Sequence, residues 1–509
     1  MKKQKRTLII VITAILVLTA LLLGLLFLLP EDDDDSSSDT SDETINLIDK
    51  TKADDDETVD DPIKKIAIKL QAEEYEIVPG DDDQLVVAGY EDLPVNTTEI
   101  DSLVRSLSNV DANRKVADNS DNQKDFGLDK PRSIATVTYH DDSVVVFELG
   151  NEAAGDAGSY LRIQSDGPIY LVDSYFAGWL LKESVNYIGT TLITAPSAKS
   201  ESDGDTAVLK DMKLSGSVRA SKPFEFKVNQ TDSKSLSTFA YITTKPFVKG
   251  ASEEANKIAQ AVTSLNAIQA VKAYPKSGDL KKYGLNNPYS VCEMTLAVQS
   301  MSSSDDDDDD SDTTVTTYYN STKHKITLGS KDEDGNYYAM VDDIDAVYIV
   351  SPSAVPWADK QYGDIVTTML FLQDITSVKS ISLKSGGKTS SFELTHYPDE
   401  EDRDKSMVVK SGEKTYSTPD FRTLYQVYMM VYRHGELDKK PTGDADIVFT
   451  LQPIDKSADR VEARFYRQSA SLYGCVLSDG DFYTVRASDI KKMLDQTENF
   501  LNGRKVSTE

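Results

Sequence analysis

Residues that carry redox and metal chemistry are scarce in this sequence. Its 509 residues include two cysteines, Cys292 and Cys475, and four histidines, His140, His324, His396 and His434. No C-x-x-C, H-E-x-x-H, G-x-S-x-G, P-loop or G-x-G-x-x-G pattern occurs, which removes the best-defined signatures of thiol, zinc, serine-hydrolase and nucleotide chemistry. The histidines lie far apart in sequence, so a metal site or a triad would need them to converge across the fold. Cys292 sits in YSVCEMTL, where it shares a strand face with Met294 and Leu296 and reads as a buried thiol. No spacing argues for a disulfide to Cys475.

Positive charge is also short. Lys and Arg number 55 against 85 Asp and Glu, a net charge of −30. That balance disfavours nucleic acid and anionic lipid headgroups as partners. Much of the acid lies in Asp runs at 32–35, 54–56, 81–83 and 305–310, which read as solvated spacers. None fits a calcium loop, and DEDG at 332–335 carries only a fragment of one. Among so many carboxylates no glycosidase-like acid and base pair stands out. No catalytic, cofactor-binding or metal-binding residue is identified, and the chain is not read as an enzyme.

Long apolar runs are absent except for one. Residues 7–29 are uncharged and apolar, long enough at about 1.5 Å per helical residue to span a bilayer. The run exceeds a signal-peptide core, and no A-x-A-like cleavage site follows it, so an uncleaved transmembrane helix is expected. Four basic residues precede it and EDDDDSSSDTSDE follows, which predicts a cytoplasmic tail at 1–6 and an extracytoplasmic body. Between Glu31 and Asp61 there are fifteen acidic and two basic residues, so 30–61 is expected to be a disordered tether.

What the rest contains is self-similarity. FGLDKP at 126–131 is followed by Gly150, Tyr160, Tyr170 and Trp179; YGLNNP at 283–288 is followed by Gly329, Tyr338, Tyr348 and Trp357. Both Tyr-to-Tyr spacings are ten residues, and these are the only two tryptophans. The largest mismatch, between Pro and Gly, is an insert rich in Ser and Asp around 301–314. A third copy aligns GSYLRIQSDGPIYLV at 158–172 with SLYGCVLSDGDFYTV at 471–485, placing Tyr473 with Tyr160 and Tyr483 with Tyr170. There the hexapeptide is reduced to HGELDKKP at 434–441.

An amphipathic helix precedes each hexapeptide. Its apolar faces are Ile100, Leu103, Val104 and Leu107; Ile258, Ala261, Val262 and Leu265; and Phe421, Leu424, Tyr425 and Tyr428. The first opens with an Asn96–Glu99 capping box and the third with Thr418 as cap before Pro419. Alternating strands flank these helices, and a second helix closes each unit, as at 488–501. The expected fold is α+β: three tandem repeats, each an antiparallel sheet of a short strand pair plus a meander, covered by two helices. Units are expected at 62–195, 196–372 and 373–505.

The motif residues Gly127, Leu128, Pro131, Gly150, Tyr160, Tyr170, Gly284, Leu285, Pro288, Gly329, Tyr338, Tyr348, Tyr473 and Tyr483 are read as structural. In the hexapeptide, Gly takes a positive φ, Leu enters the core and Pro fixes the entry to the next strand. Trp179 and Trp357 have two readings: anchors of the closing helix against the sheet, or platforms that stack on glycans. The first is preferred, because FAGWLL and the Pro before Trp357 suit packing.

The pattern of helix, [FY]-G-L-x-x-P, strand ending in Leu-Gly, Tyr and then Tyr-[LI]-Val resembles the bacterial domain-of-unknown-function family numbered 4340, closely over 64–360 and loosely over 373–505. Members of that family often carry an N-terminal span and tandem units, and are frequently encoded beside permeases of gliding-type ABC transporters. The resemblance carries over no catalytic or binding residues. It implies a membrane-anchored accessory or binding component of a cell-envelope or ABC-transporter-linked system, with the permease or envelope proteins as partners. The alternatives are an enzyme acting on wall polymers at a site between units, and an acidic surface adhesin.

Overall fold

The computed structural model describes residues 44–51, 62–81, 83–118, 122–199, 204–231, 235–303, 314–456 and 458–509. The tail 1–6, the span expected at 7–29, most of the tether and most of the acidic loop lie outside these residues. Among the described residues no helix is long and apolar enough to cross a membrane.

Alternation of apolar and polar side chains builds mostly antiparallel β structure, with seven α-helices among the described residues. SIATVTY at Ser133–Tyr139 is typical: Ser133, Ala135, Val137 and Tyr139 are buried and the residues between them are not. The first large sheet has eight strands, in the order Leu85–Val87, Glu74–Pro79, Ile63–Leu70, Ser133–Tyr139, Val144–Glu152, Ser159–Ile163, Ile169–Val172 and Arg114–Ala117. The second has nine, from Lys249–Gly250 at one edge through Thr206–Ser215, Ser290–Ser303 and Thr314–Lys331 to Gln269–Ala273 at the other. The third, also of nine, runs from Lys414–Tyr416 through Val378–Ser385 and Ile447–Pro453 to Arg433–Gly435. Each sheet buries one face under helices.

The helices follow the apolar spacing with local departures. Thr97–Ser108 buries Ile100, Leu103, Val104 and Leu107, and Asn96 caps it by accepting from the Glu99 N–H. The reciprocal half of the expected capping box is not made. The Asn96 N–H donates to the Tyr187 carbonyl, and the Glu99 carboxylate pairs with Lys182. The second helix is only Glu253–Ala261; Ala255, Ile258 and Ala259 face inward, Ala261 is exposed, and Leu265 has already entered the strand Leu265–Asn266. In the third, Thr418–Met429, the cap is Ser417 rather than Thr418. The Thr418 hydroxyl instead donates to the Met407 carbonyl.

Short strands and isolated bridges join the sheets near the expected boundaries. Part of the tether is ordered: Ile45–Asp49 pairs with Asn109–Ala112, directly after the first helix. Thr191–Ile193 pairs with Leu265–Asn266, directly after the second helix, so it belongs with the second sheet. Met369 bridges Tyr432 beyond the third helix, and Leu370, Phe371 and Val506 enter the third core.

Candidate functional site

The hexapeptides are built by a close backbone approach. Gly127 and Gly284 have φ of +69° and +71°, a region in which a β-carbon is strained. The turn lays the Phe126 carbonyl against Gly150 and the Tyr283 carbonyl against Gly329; a Cβ at either glycine would stand 2.1 Å from that oxygen. The turn's aromatic ring then meets the tyrosine of the neighbouring strand. Ring centres are 5.0 Å apart for Phe126 and Tyr160, and 4.6 Å for Tyr283 and Tyr338. Leu128 and Leu285 are buried, but not in the main cores. Leu285 packs with Tyr283 and Val347, and Leu280 of the helix Ser277–Lys282 lies against them. The motif is a clasp whose Leu is buried as expected, Leu285 in a small cluster of its own beside the main core.

Tyr170, Tyr348 and Tyr483 all pack against the main cores. Tyr473 does not take the place of Tyr160. Leu161 pairs with Tyr170, whereas Cys475 pairs with Tyr483, so the residue after Tyr160 corresponds to the second after Tyr473. A turn one residue shorter slips the register and flips Tyr473 into the core. Gly474 takes the outer position, and Leu437 and Pro441 of HGELDKKP lie against it.

Beside each clasp is a polar corner, and the three corners differ. In the first, Arg132 donates to the Gly150 carbonyl, the Glu152 carboxylate and the Ser159 hydroxyl at 2.6, 2.9 and 2.8 Å. In the third, Arg467 donates through its side chain to the Tyr473 hydroxyl and through its N–H to Asp446. The second has no such arginine. Tyr289 stands where the first has Arg132, and its ring is stacked on Tyr337 at 5.8 Å. Both hydroxyls donate to one oxygen of Asp359, at 2.6 and 2.9 Å. Burial and this carboxylate push the Tyr289 hydroxyl up to about 12. Asp359 is fixed by Arg219, 1% exposed, which donates to the carbonyls of Trp357, Ala358 and Lys360. A cleft of about 440 Å³ opens there, bordered by Ser217, Asn287, Tyr289, Lys331 and Tyr337.

Two joints connect the sheets, with different chemistry. The first is apolar: Leu93, Ile188, Leu192 and Ile193 pack into the second core, and Tyr90 meets Tyr274 edge-on. The second is charged. Lys222 lies 3.5 Å from Asp481 and 3.6 Å from Glu436, Lys249 lies 2.5 Å from Asp479, and Arg433 donates to the Gly363 carbonyl. Asp481 is 1% exposed, and burial raises its carboxyl above the usual carboxylate range.

The remaining sequence candidates are placed apart. Trp179 is 6% and Trp357 1% exposed, each inside an apolar core, so neither presents a face for a glycan. Trp357 lies in a turn rather than at a helix start. His324 meets Thr322, His396 donates to the Val378 carbonyl, and His434 accepts from Arg486. Both thiols are buried, and burial pushes each up. The Tyr289–Asp359 corner and the charged joint were not foreseen. Neither has a local sequence signal, since each joins residues from distant segments.

A model of the family described as "Domain of unknown function (DUF4340)" matches residues 86–288 and 242–418. No curated protein matches. A solved structure described as a Ca2+-stabilized adhesin that helps an Antarctic bacterium reach out and bind ice aligns at 8% identity, covering 80% of this chain and 89% of that one. Its TM-score is 0.08, and a likeness of that size carries no argument.

Proposed function

This chain belongs to the DUF4340 family, and from that premise we propose that it is a membrane-anchored, extracytoplasmic protein of three copies of one unit, serving as an accessory or binding component of a cell-envelope or ABC-transporter-linked system. The observation that supports the three-copy part of this reading is the strand order. Counted from the strand that opens each sheet, and leaving out the short joining strands, the first sheet runs 3-2-1-5-6-7-8-4. The second and third run the same way with one short strand added outside strand 3. The joints also match. Val95 bridges Ile188 just as Ala251 bridges Val366, and the chain then goes on to pair beyond the next helix. Each unit is thus strapped to the next by a segment that pairs with both, a strand at the first joint and isolated bridges at the second, an arrangement suited to a spacer or scaffold between the anchor at 7–29 and its partners.

Cysteine labelling tests the topology. Because Cys292 and Cys475 are fully buried, an introduced thiol dominates reaction with a membrane-impermeant maleimide. We expect Ser36→Cys to label in intact cells and Gln4→Cys only after the membrane is opened. The reverse pattern, or labelling of neither until lysis, contradicts the anchored reading.

A further inference from the structure

We propose that the Tyr289–Lys331 corner of the second unit binds a saccharide residue bearing a carboxylate. The comparison between corners rests on the three-copy reading. In the first unit this corner is closed by Arg132, which satisfies Glu152 and Ser159 itself. In the third, Arg467 fills it against Tyr473 and Asp446. In the second, the exchange of that arginine for Tyr289 leaves the cleft of about 440 Å³ open.

The walls are pre-set for a ligand. Tyr289, half-buried, spends its hydroxyl on Asp359 and offers the cleft ring surface, while Tyr337, 1% exposed, backs that ring from the core. Arg219 is buried without a carboxylate of its own, and its donors are used to hold the carbonyls of the loop that carries Asp359. Burying a guanidinium for that purpose makes the two rings rigid, as a binding site requires. An aromatic face suits the C–H side of a pyranose ring, and Asn287 and Ser217 stand at the rim for its hydroxyls. The Lys331 amino group lies 4.5 Å above the Tyr337 ring and makes no hydrogen bond or ion pair among the described residues. It is a single cation with Asp359 nearby, which suits a monoanionic carboxylate better than a phosphate.

The test is saturation-transfer NMR on the full chain in detergent micelles, with glucuronic acid and glucose as matched probes. Glucuronic acid should receive saturation about fivefold more strongly than glucose, the worth of one exposed ion pair. Tyr289→Ala should abolish transfer to both sugars. Lys331→Gln changes an exposed side chain and leaves the fold intact; it should remove the preference for glucuronic acid. Arg132→Ala, at the first corner, should change nothing. No transfer, an undiminished preference in Lys331→Gln, or displacement by equimolar inorganic phosphate overturns the proposal. Loss of binding beside intact three-copy behaviour in calorimetry sinks the site alone; binding without that behaviour sinks only the three-copy reading.

Discussion

At Gly150 and Gly329 a side chain would meet a carbonyl oxygen of the clasp at 2.1 Å, and that oxygen belongs to backbone that cannot swing aside. Gly150→Ala and Gly329→Ala should therefore each cost about 1–3 kcal/mol in urea unfolding, through overpacking. Gly178, inside the helix Ser174–Leu180 with open space at its Cβ, is the control, and Gly178→Ala should be neutral or stabilising. Equal effects at all three would remove the clasp as the cause. Asp481 gives a prediction in pH. Facing it are Lys222, Lys249, Asp479, Tyr362, Tyr483 and Cys475, with Glu436 and Arg433 beside Lys222. Its folded pKa is raised by burial, so its contribution is present below the unfolded pKa and is lost as pH rises through the folded one. Asp481→Asn, fixed neutral, should gain in Tm relative to the parent as pH rises above about 4, and a falling difference would reverse the sign argued here. The spacing of Gly, Tyr and Pro was legible in the sequence, but its reason was not, because the carbonyl that excludes a side chain comes from a residue about 24 positions earlier in one copy and 46 in the other.

Among the elements, the strand Ile45–Asp49 is the one that composition hid. INLID lies in an acidic, hydroxyl-rich segment, and only its pairing with Asn109–Ala112 orders it. Leu47 and Ile48 are half-buried against the first core, in which Val110 and Ala112 are fully buried. Deleting residues 44–51 should cost about 1–2 kcal/mol of the first unit's stability, from the apolar area uncovered. It should also speed amide exchange at 109–112; unchanged exchange would mean that the strand does not dock in solution. Helices are legible where apolar spacing is strong, as at 97–108. Their ends are not, because a one-residue change of cap or an early entry into a strand is decided by tertiary partners such as Met407 and Tyr187. The slip at Tyr473 has the same origin: SDG occurs in both turns, and a turn shorter by one residue is invisible until strands pair.

For the whole molecule, the joints decide what unfolds with what. Each large sheet has a core cluster of its own; Leu93, Ile188, Leu192 and Ile193 reach into the second core at the first joint, while Lys222 and Lys249 make ion pairs with Glu436, Asp481 and Asp479 at the second. The joints were not legible, since they depend on how units meet rather than on any local pattern. The most direct test of the proposal of three like units is differential scanning calorimetry of the full chain in detergent. Gly150→Ala and Gly329→Ala should lower one shared transition, and Gly474→Leu, which collides with Pro441 and Leu437 in the third clasp, should lower only the other. A single transition moved by all three substitutions, or no response to the clasp glycines, would contradict the account.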